Sequence, residues 1–234
     1  MFSFLTIIPT SNANLETIAK HMYLFPIVGI AIGLLIGSIG FGLSLFLDPL
    51  IVSLIVVASI AVVTGIHHTD GLADFADGLM AKGTKEKKLK AMKDLATGSA
   101  GIISIVFYVV GAIIALSLTS GYDLFKIILL SEILAKFSMV LMASLGNSAS
   151  IGSNSPFVYI MKDKKRLAIA ALITIIPFLI IGEPTGFLVL ASVIVITMLL
   201  VAISTRNFGG ITGDVLGATN EITRLGSMLI FISL

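Results

Sequence analysis

Residues 25–47 of this chain contain no charged side chain. A helix of that length exceeds the ~30 Å hydrocarbon core of a bilayer at about 1.5 Å rise per residue. Further apolar runs follow at 50–66, 100–118, 124–145, 167–181 and 186–203. The second is shorter, and the run 124–145 carries Lys126, Glu132 and Lys136. A final run, 225–234, is too short to span by itself; it either continues a helix begun near Val215 or inserts only partly. Backbone polar groups in lipid must be satisfied within their own segment, so runs of this kind become helices. Composition agrees: 57% of residues are hydrophobic and 12% charged, whereas soluble domains average about 45–50% apolar and 25% charged. The expected fold is an all-α, polytopic membrane helix bundle in one domain, 1–234, with six transmembrane helices plus a short C-terminal membrane segment.

The lysines orient the bundle. One loop holds Lys82, Lys85, Lys87, Lys88, Lys90 and Lys93, and another Lys162, Lys164, Lys165 and Arg166. Cytoplasmic loops carry the excess of Lys and Arg, and the two spans between these loops have the parity this demands. The N-terminus, residues 205–221 and the Ser/Asn/Gly-rich stretch 146–155 then lie on the cytoplasmic side. Asp48-Pro49, residues 119–123 and residues 182–185 form outer turns without Lys or Arg, and Lys126 is expected to reach the outer surface. A multi-pass protein of the cell membrane is expected, in contact with the lipid bilayer and not with nucleic acid; a homo-oligomer is left open. No signal peptide is apparent at the N-terminus. The chain has no cysteine, which excludes disulfides and thiolate chemistry.

Directly after the second span comes HHTDGLADFADGL, residues 67–79. On a helix Asp74 lies about 40° from Asp70, and Asp77 about 20° to the other side, so the three carboxylates share one face. Like charges this close stay ionised in a poorly hydrated place when a cation compensates them. An oxygen-only donor set favours a hard ion, Mg²⁺ above all. The plain alternative is a set of solvated or capping aspartates. His67 and His68 do not point the same way on a helix; packing, or a hydrogen bond to phosphate, suits them better than metal binding.

A second cluster is NFGGITGDVLGATNE, residues 207–221. Its bare backbone around Gly210 and Gly213, with Asn207 and Thr212, can present N–H groups to phosphate. Asp214 and Glu221 are seven apart and share a helix face. Glu132 and Lys136, four apart inside a span, are either functional or a mutually neutralising pair. In the lysine-rich stretch 85–101, Lys93, Asp94 and Gly98 stand at the membrane entry, where positive charge can draw an anionic substrate.

GIHHTDGLADFADGL closely resembles the signature of the cobalamin synthase (adenosylcobinamide-GDP ribazoletransferase) family. MKDLATGSAG, GGITGDVLGATNE and the opening FLTIIP are similar to further family segments in the same order, so the resemblance spans nearly the whole chain. It departs at Ala96 and Ile7, where family members carry basic residues. The resemblance implies transfer of the adenosylcobinamide-phosphate group from adenosylcobinamide-GDP to α-ribazole or its 5′-phosphate, with release of GMP. It implies Mg²⁺ held by Asp70, Asp74 and Asp77, with Asp214 completing the site or acting as base. His67, His68, Lys93, Asp94, Gly98, Lys136, Asn207, Gly210, Thr212, Gly213 and Glu221 are the expected substrate contacts. The competing readings are an ion-coupled transporter and a lipid enzyme like the CDP-alcohol phosphotransferases, whose Asp-Gly spacing this chain lacks.

Overall fold

A computed structural model describes residues 2–8, 14–149 and 155–234. Short helices α1 (Phe2–Leu5) and α2 (Leu15–Lys20) lead through a 3-10 turn, Met22–Leu24, into α3 (Phe25–Ser44). Then come α4 (Pro49–Thr64), α5 (His67–Met80), α6 (Lys85–Ala91), α7 (Ser99–Ser117), α8 (Gly121–Leu145) and α9 (Ser155–Ile160). The chain ends with α10 (Lys164–Ile181), α11 (Glu183–Phe208) and α12 (Gly213–Ser233). The helix starts are chemically marked. Asp48 accepts from Leu50 N at 2.9 Å ahead of Pro49, Asp163 from Lys165 N at 2.9 Å, and Thr212 from Val215 N at 3.2 Å, each satisfying an N–H with no partner inside its helix.

Among the described residues four helical segments are long and apolar enough to cross a bilayer: 22–44, α7, α8 and α11. The pair α4 and α5 passes the same test only jointly, and the two are bent by 92°. The final segment resolves as a continuation. α12 is one helix of 21 residues, about 32 Å at 1.5 Å per residue. It starts beside α5, and Phe231, Ile232 and Leu234 at its far end line a cleft with Asp123, Lys126 and Glu183. The helix thus runs the depth of the bundle. A count of consecutive apolar residues misses it because Asp214, Glu221 and Arg224 interrupt the run.

At the centre stands α8, buried along nearly its whole length. α3 lies against it through Gly29, Gly33 and Gly37. A Cβ at Gly29 would sit 2.6 Å from Glu132 O, and one at Gly33 2.7 Å from Leu129 Cα; small residues four apart let two helix backbones touch in lipid. Gly29→Ala or Gly33→Ala should therefore destabilise by about 1–3 kcal/mol, the usual cost of overpacking. Gly42→Ala, with nothing within 4 Å, should leave the thermal midpoint in detergent unchanged or slightly higher. Equal midpoints for all three would show that the α3–α8 contact carries no packing energy. On the outside of α7 and α11, Phe107, Ile114, Leu188 and Leu199 are exposed, as a lipid-facing surface requires.

Polar contacts sort by side. At the expected outer turns Lys126 pairs with Asp123 at 2.9 Å and Glu183 at 2.8 Å, joining the starts of α8 and α11. At the opposite end Lys162 Nζ donates to Gly146 O at 2.6 Å and the Arg166 guanidinium to the Lys20 carbonyl. Of the expected loop at 146–155, residues 150–154 lie outside the described residues. Residues 147–149 run beside the glycine-rich turn: Ile211 N donates to Asn147 O at 2.7 Å and Ala149 N to Ile211 O at 3.0 Å.

Candidate active site

The right-angle turn from α4 into α5 is made by two consecutive residues in the left-handed region, Gly65 at φ 70° and Ile66 at φ 65°. Glycine takes that conformation freely; a β-branched residue there stores roughly 1–3 kcal/mol of strain. The turn sets α5 at 92° to α4 and packs it against α7 and α12. Its apolar side, with Leu72 and Phe75, faces inward, Asp70 is exposed, and Asp74 and Asp77 are half-buried.

Close backbone packing delivers a fourth carboxylate from the far end of the sequence. A Cβ at Gly71 would lie 3.0 Å from Asp214 O and 3.4 Å from Gly217 Cα, and one at Gly217 would lie 3.3 Å from His68 Cα. The start of α12 can rest directly on α5 because neither glycine carries a side chain. The resulting charge density shows at Asp74. Partial burial, then the charges of Asp70, Asp214 and Asp77, push its carboxyl up to about 6. The Asp70 and Asp74 carboxylates accept no hydrogen bond from the described residues, while Thr212 Oγ1 lies 3.5 Å from Asp214 Oδ2. Such an all-oxygen set suits a hard cation. Among the described residues no three such side chains are gathered in a coordinating cage.

Asp77 lies on the expected face but has a protein partner. Its oxygens accept from Gly98 N at 2.7 Å and Gly101 N at 2.9 Å, which caps the start of α7. Asp77→Ala should thus lower stability by about 0.5–2 kcal/mol, the worth of an N-cap, in chemical denaturation of detergent-solubilised protein. Asp70→Ala should not, and an equal loss from both would remove the distinction between cap and ligand.

The other expected contacts divide. His67 is exposed and His68 buried, both at the start of α5. Exposed Lys93 is near enough for its charge to act on Asp214. Gly213, exposed, opens α12 after its cap Thr212. Gly98 serves through the amide that binds Asp77. Asp94 makes a local turn, accepting from Ala96 N at 3.2 Å. Asn207 Oδ1 accepts from Lys88 Nζ at 2.9 Å, tying α6 to α11. Gly210 allows close passage of residues 147–149, since a Cβ there would meet Asn147 O at 2.4 Å.

Lys136 and Glu221 sit elsewhere, in a buried network about 10 Å further along α12 from Asp214 at 1.5 Å per residue. Glu132, Lys136, Glu221 and Arg224 are each 0–1% exposed. Arg224 Nε is 2.6 Å from Glu132 Oε1, and its Nη1 lies 2.5 Å from Glu221 Oε2 and donates to Tyr108 Oη at 2.8 Å. Lys136 Nζ donates to Asn220 Oδ1 at 2.7 Å and stands 3.6 Å from Glu132. Glu132 and Lys136 are thus paired, but chiefly through α12. The sequence reading overlooked Arg224 and Tyr108. The available signal was a lone arginine three residues after Glu221, directly before the apolar run 225–234.

The profile of a family described as cobalamin-5-phosphate synthase matches residues 1–232 of the chain. A curated relative from Methanocella arvoryzae, named adenosylcobinamide-GDP ribazoletransferase, is 36% identical over 97% of this chain and 91% of its own length. Relatives of the same name from Pyrococcus abyssi and Archaeoglobus fulgidus are each 33% identical over 97% of this chain, covering 94% and 92% of their own lengths. No solved structure matches the chain.

Proposed function

The chain belongs to the cobalamin-5-phosphate synthase family, and from that premise we propose that it transfers the adenosylcobinamide-phosphate group from adenosylcobinamide-GDP to α-ribazole or its 5′-phosphate, releasing GMP, in a Mg²⁺-dependent reaction at the cytoplasmic face of the cell membrane. The observation that carries this reading is the approach of Asp214 on α12 to Asp70 and Asp74 on α5, where the start of α12 rests on α5. Asp70 and Asp74 are the ligands for Mg²⁺, which when bound supplies neutralisation of the diphosphate charge.

The protein's own contribution is position and proton handling. Amide groups at the start of α12 face the diphosphate, a helix N-terminus being a ready anion site. Lys93 and the neighbouring lysines draw the anionic donor. A ribose hydroxyl of the acceptor attacks the phosphorus attached to cobinamide. Its oxygen forms the new P–O bond, the bond to the GMP phosphate breaks, and GMP leaves with that electron pair. The hydroxyl proton passes to the Asp214 carboxylate. In such transfers catalysis is mostly alignment and charge stabilisation, which a fixed helix pair provides. Asp77 acts by holding α7 against α5.

The experiment is direct. Purified protein in lipid nanodiscs, given adenosylcobinamide-GDP, α-ribazole and Mg²⁺, should release GMP in step with corrinoid product, and excess chelator should stop it. Release that is absent, or indifferent to chelator, overturns the reading.

A further inference from the structure

Beside Asp214 lies a cavity of about 410 Å³, within the roughly 300–1,000 Å³ common for small-molecule sites. One wall is aromatic. Phe4 on α1, Phe25 at the start of α3 and Phe157 on α9 have ring centroids 5.5–6.5 Å apart, with Phe4 and Phe157 stacked. Met139 from α8 adds a soft, adaptable surface. The polar part of the lining is Ser3 and, from the candidate active site, Asp214 at the start of α12 and the two histidines that open α5. His68 is 6% exposed and its Nδ1 has no hydrogen-bond partner, although buried polar atoms ordinarily have one.

What fits here follows from chemistry, and the inference rests on the reaction proposed above. That reaction brings two flat bicycles to the site, the guanine of the leaving nucleotide and the benzimidazole of α-ribazole. Guanine carries amide, amino and ring-nitrogen groups around its edge. Those meeting the phenylalanines and Met139 would go unpaired, at about 1–3 kcal/mol each. Benzimidazole in a nucleoside offers a hydrocarbon edge and one free ring nitrogen. A corrin ring with its amide rim is too large for this volume. We propose that the cavity seats the benzimidazole of α-ribazole. The base lies against the Phe4–Phe157 pair, its free nitrogen accepts from a histidine N–H at the start of α5, and its ribose is directed to Asp214.

The test varies each substrate in turn for the parent protein and for Phe157→Ala and Met139→Ala in nanodiscs, following GMP release. The KM for α-ribazole should rise about tenfold, equivalent to about 1.4 kcal/mol of lost contact, while the KM for adenosylcobinamide-GDP stays within about twofold. A rise in the adenosylcobinamide-GDP value instead would give the cavity to the donor and overturn the inference, leaving the enzymatic reading intact. No change in either would mean a space filled by lipid or left empty, and overturns it too. Equilibrium binding of free 5,6-dimethylbenzimidazole decides the question without catalysis. Retention by the parent and about tenfold weaker retention by Phe157→Ala supports the assignment, and absent or equal binding overturns it. A parent that releases no GMP counts against the reaction, a different result from either.

Discussion

An Asp74→Asn protein should release GMP roughly a thousandfold more slowly than its parent, and, stripped of metal at neutral pH, should unfold at a higher temperature. The first half follows from what a bound divalent ion contributes, several kcal/mol of charge stabilisation, with each 1.36 kcal/mol worth a factor of ten in rate. The second follows from Asp74's surroundings. Its carboxyl is raised from 3.8 to about 6 by partial burial and by Asp70, Asp214 and Asp77. A folded-state value above the unfolded one means that the fold binds this proton more tightly. Asp74 therefore costs the metal-free protein nothing below about pH 4, where both states are protonated. The cost grows as pH rises from about 4 to 6 and is complete above that. Thermal midpoints of parent and variant in chelator should coincide near pH 4 and diverge towards pH 7, with the variant higher. Added Mg²⁺ should raise the parent's midpoint more than the variant's. A variant that is both slow and less stable at neutral pH would mean that Asp74 is structural.

Arg224→Met should be the most destabilising single change in the bundle, by about 3–5 kcal/mol, the cost of breaking a buried ion pair. Two carboxylates, Glu132 and Glu221, converge on this guanidinium at 2.6 and 2.5 Å. With the guanidinium gone, Lys136 alone faces both, and a net negative charge is left among helices α7, α8 and α12. Glu132→Gln should cost a similar amount. The double substitution Glu132→Gln with Arg224→Gln should cost clearly less than the sum, because contacting residues are not additive. The measure is the unfolding midpoint in detergent, converted with a shared denaturant slope. Strict additivity would mean that the network is a set of independent pairs.

Burial of this network explains why one segment was hard to read. Hydropathy finds α3, α7 and α11 because they expose long apolar faces to lipid. It undercounts α12, whose polar side chains neutralise one another against α8. The same neutralisation removes Lys136 and Glu221 from the surface where an incoming anion could meet them. The face shared by Asp70, Asp74 and Asp77 was legible because helical spacing alone creates it. That Asp77 caps α7 was not, since its partners Gly98 and Gly101 are more than twenty residues further along the chain.

Two things were thus determined by sequence alone. Uncharged runs required a membrane helix bundle, because lipid offers backbone groups no other partner. The Asp-Gly-Leu-Ala-Asp stretch and the segments that follow it pointed to the family. The tertiary structure decided which acids lie near one another. Asp214 joins Asp70 and Asp74 because Gly71 and Gly217 let two helix backbones meet, and Arg224 joins Glu132 because α12 crosses the whole bundle. Spacing along one helix reports which side chains share a face. Which faces then meet depends on packing between elements far apart in the chain, and local sequence periodicity carries no record of that.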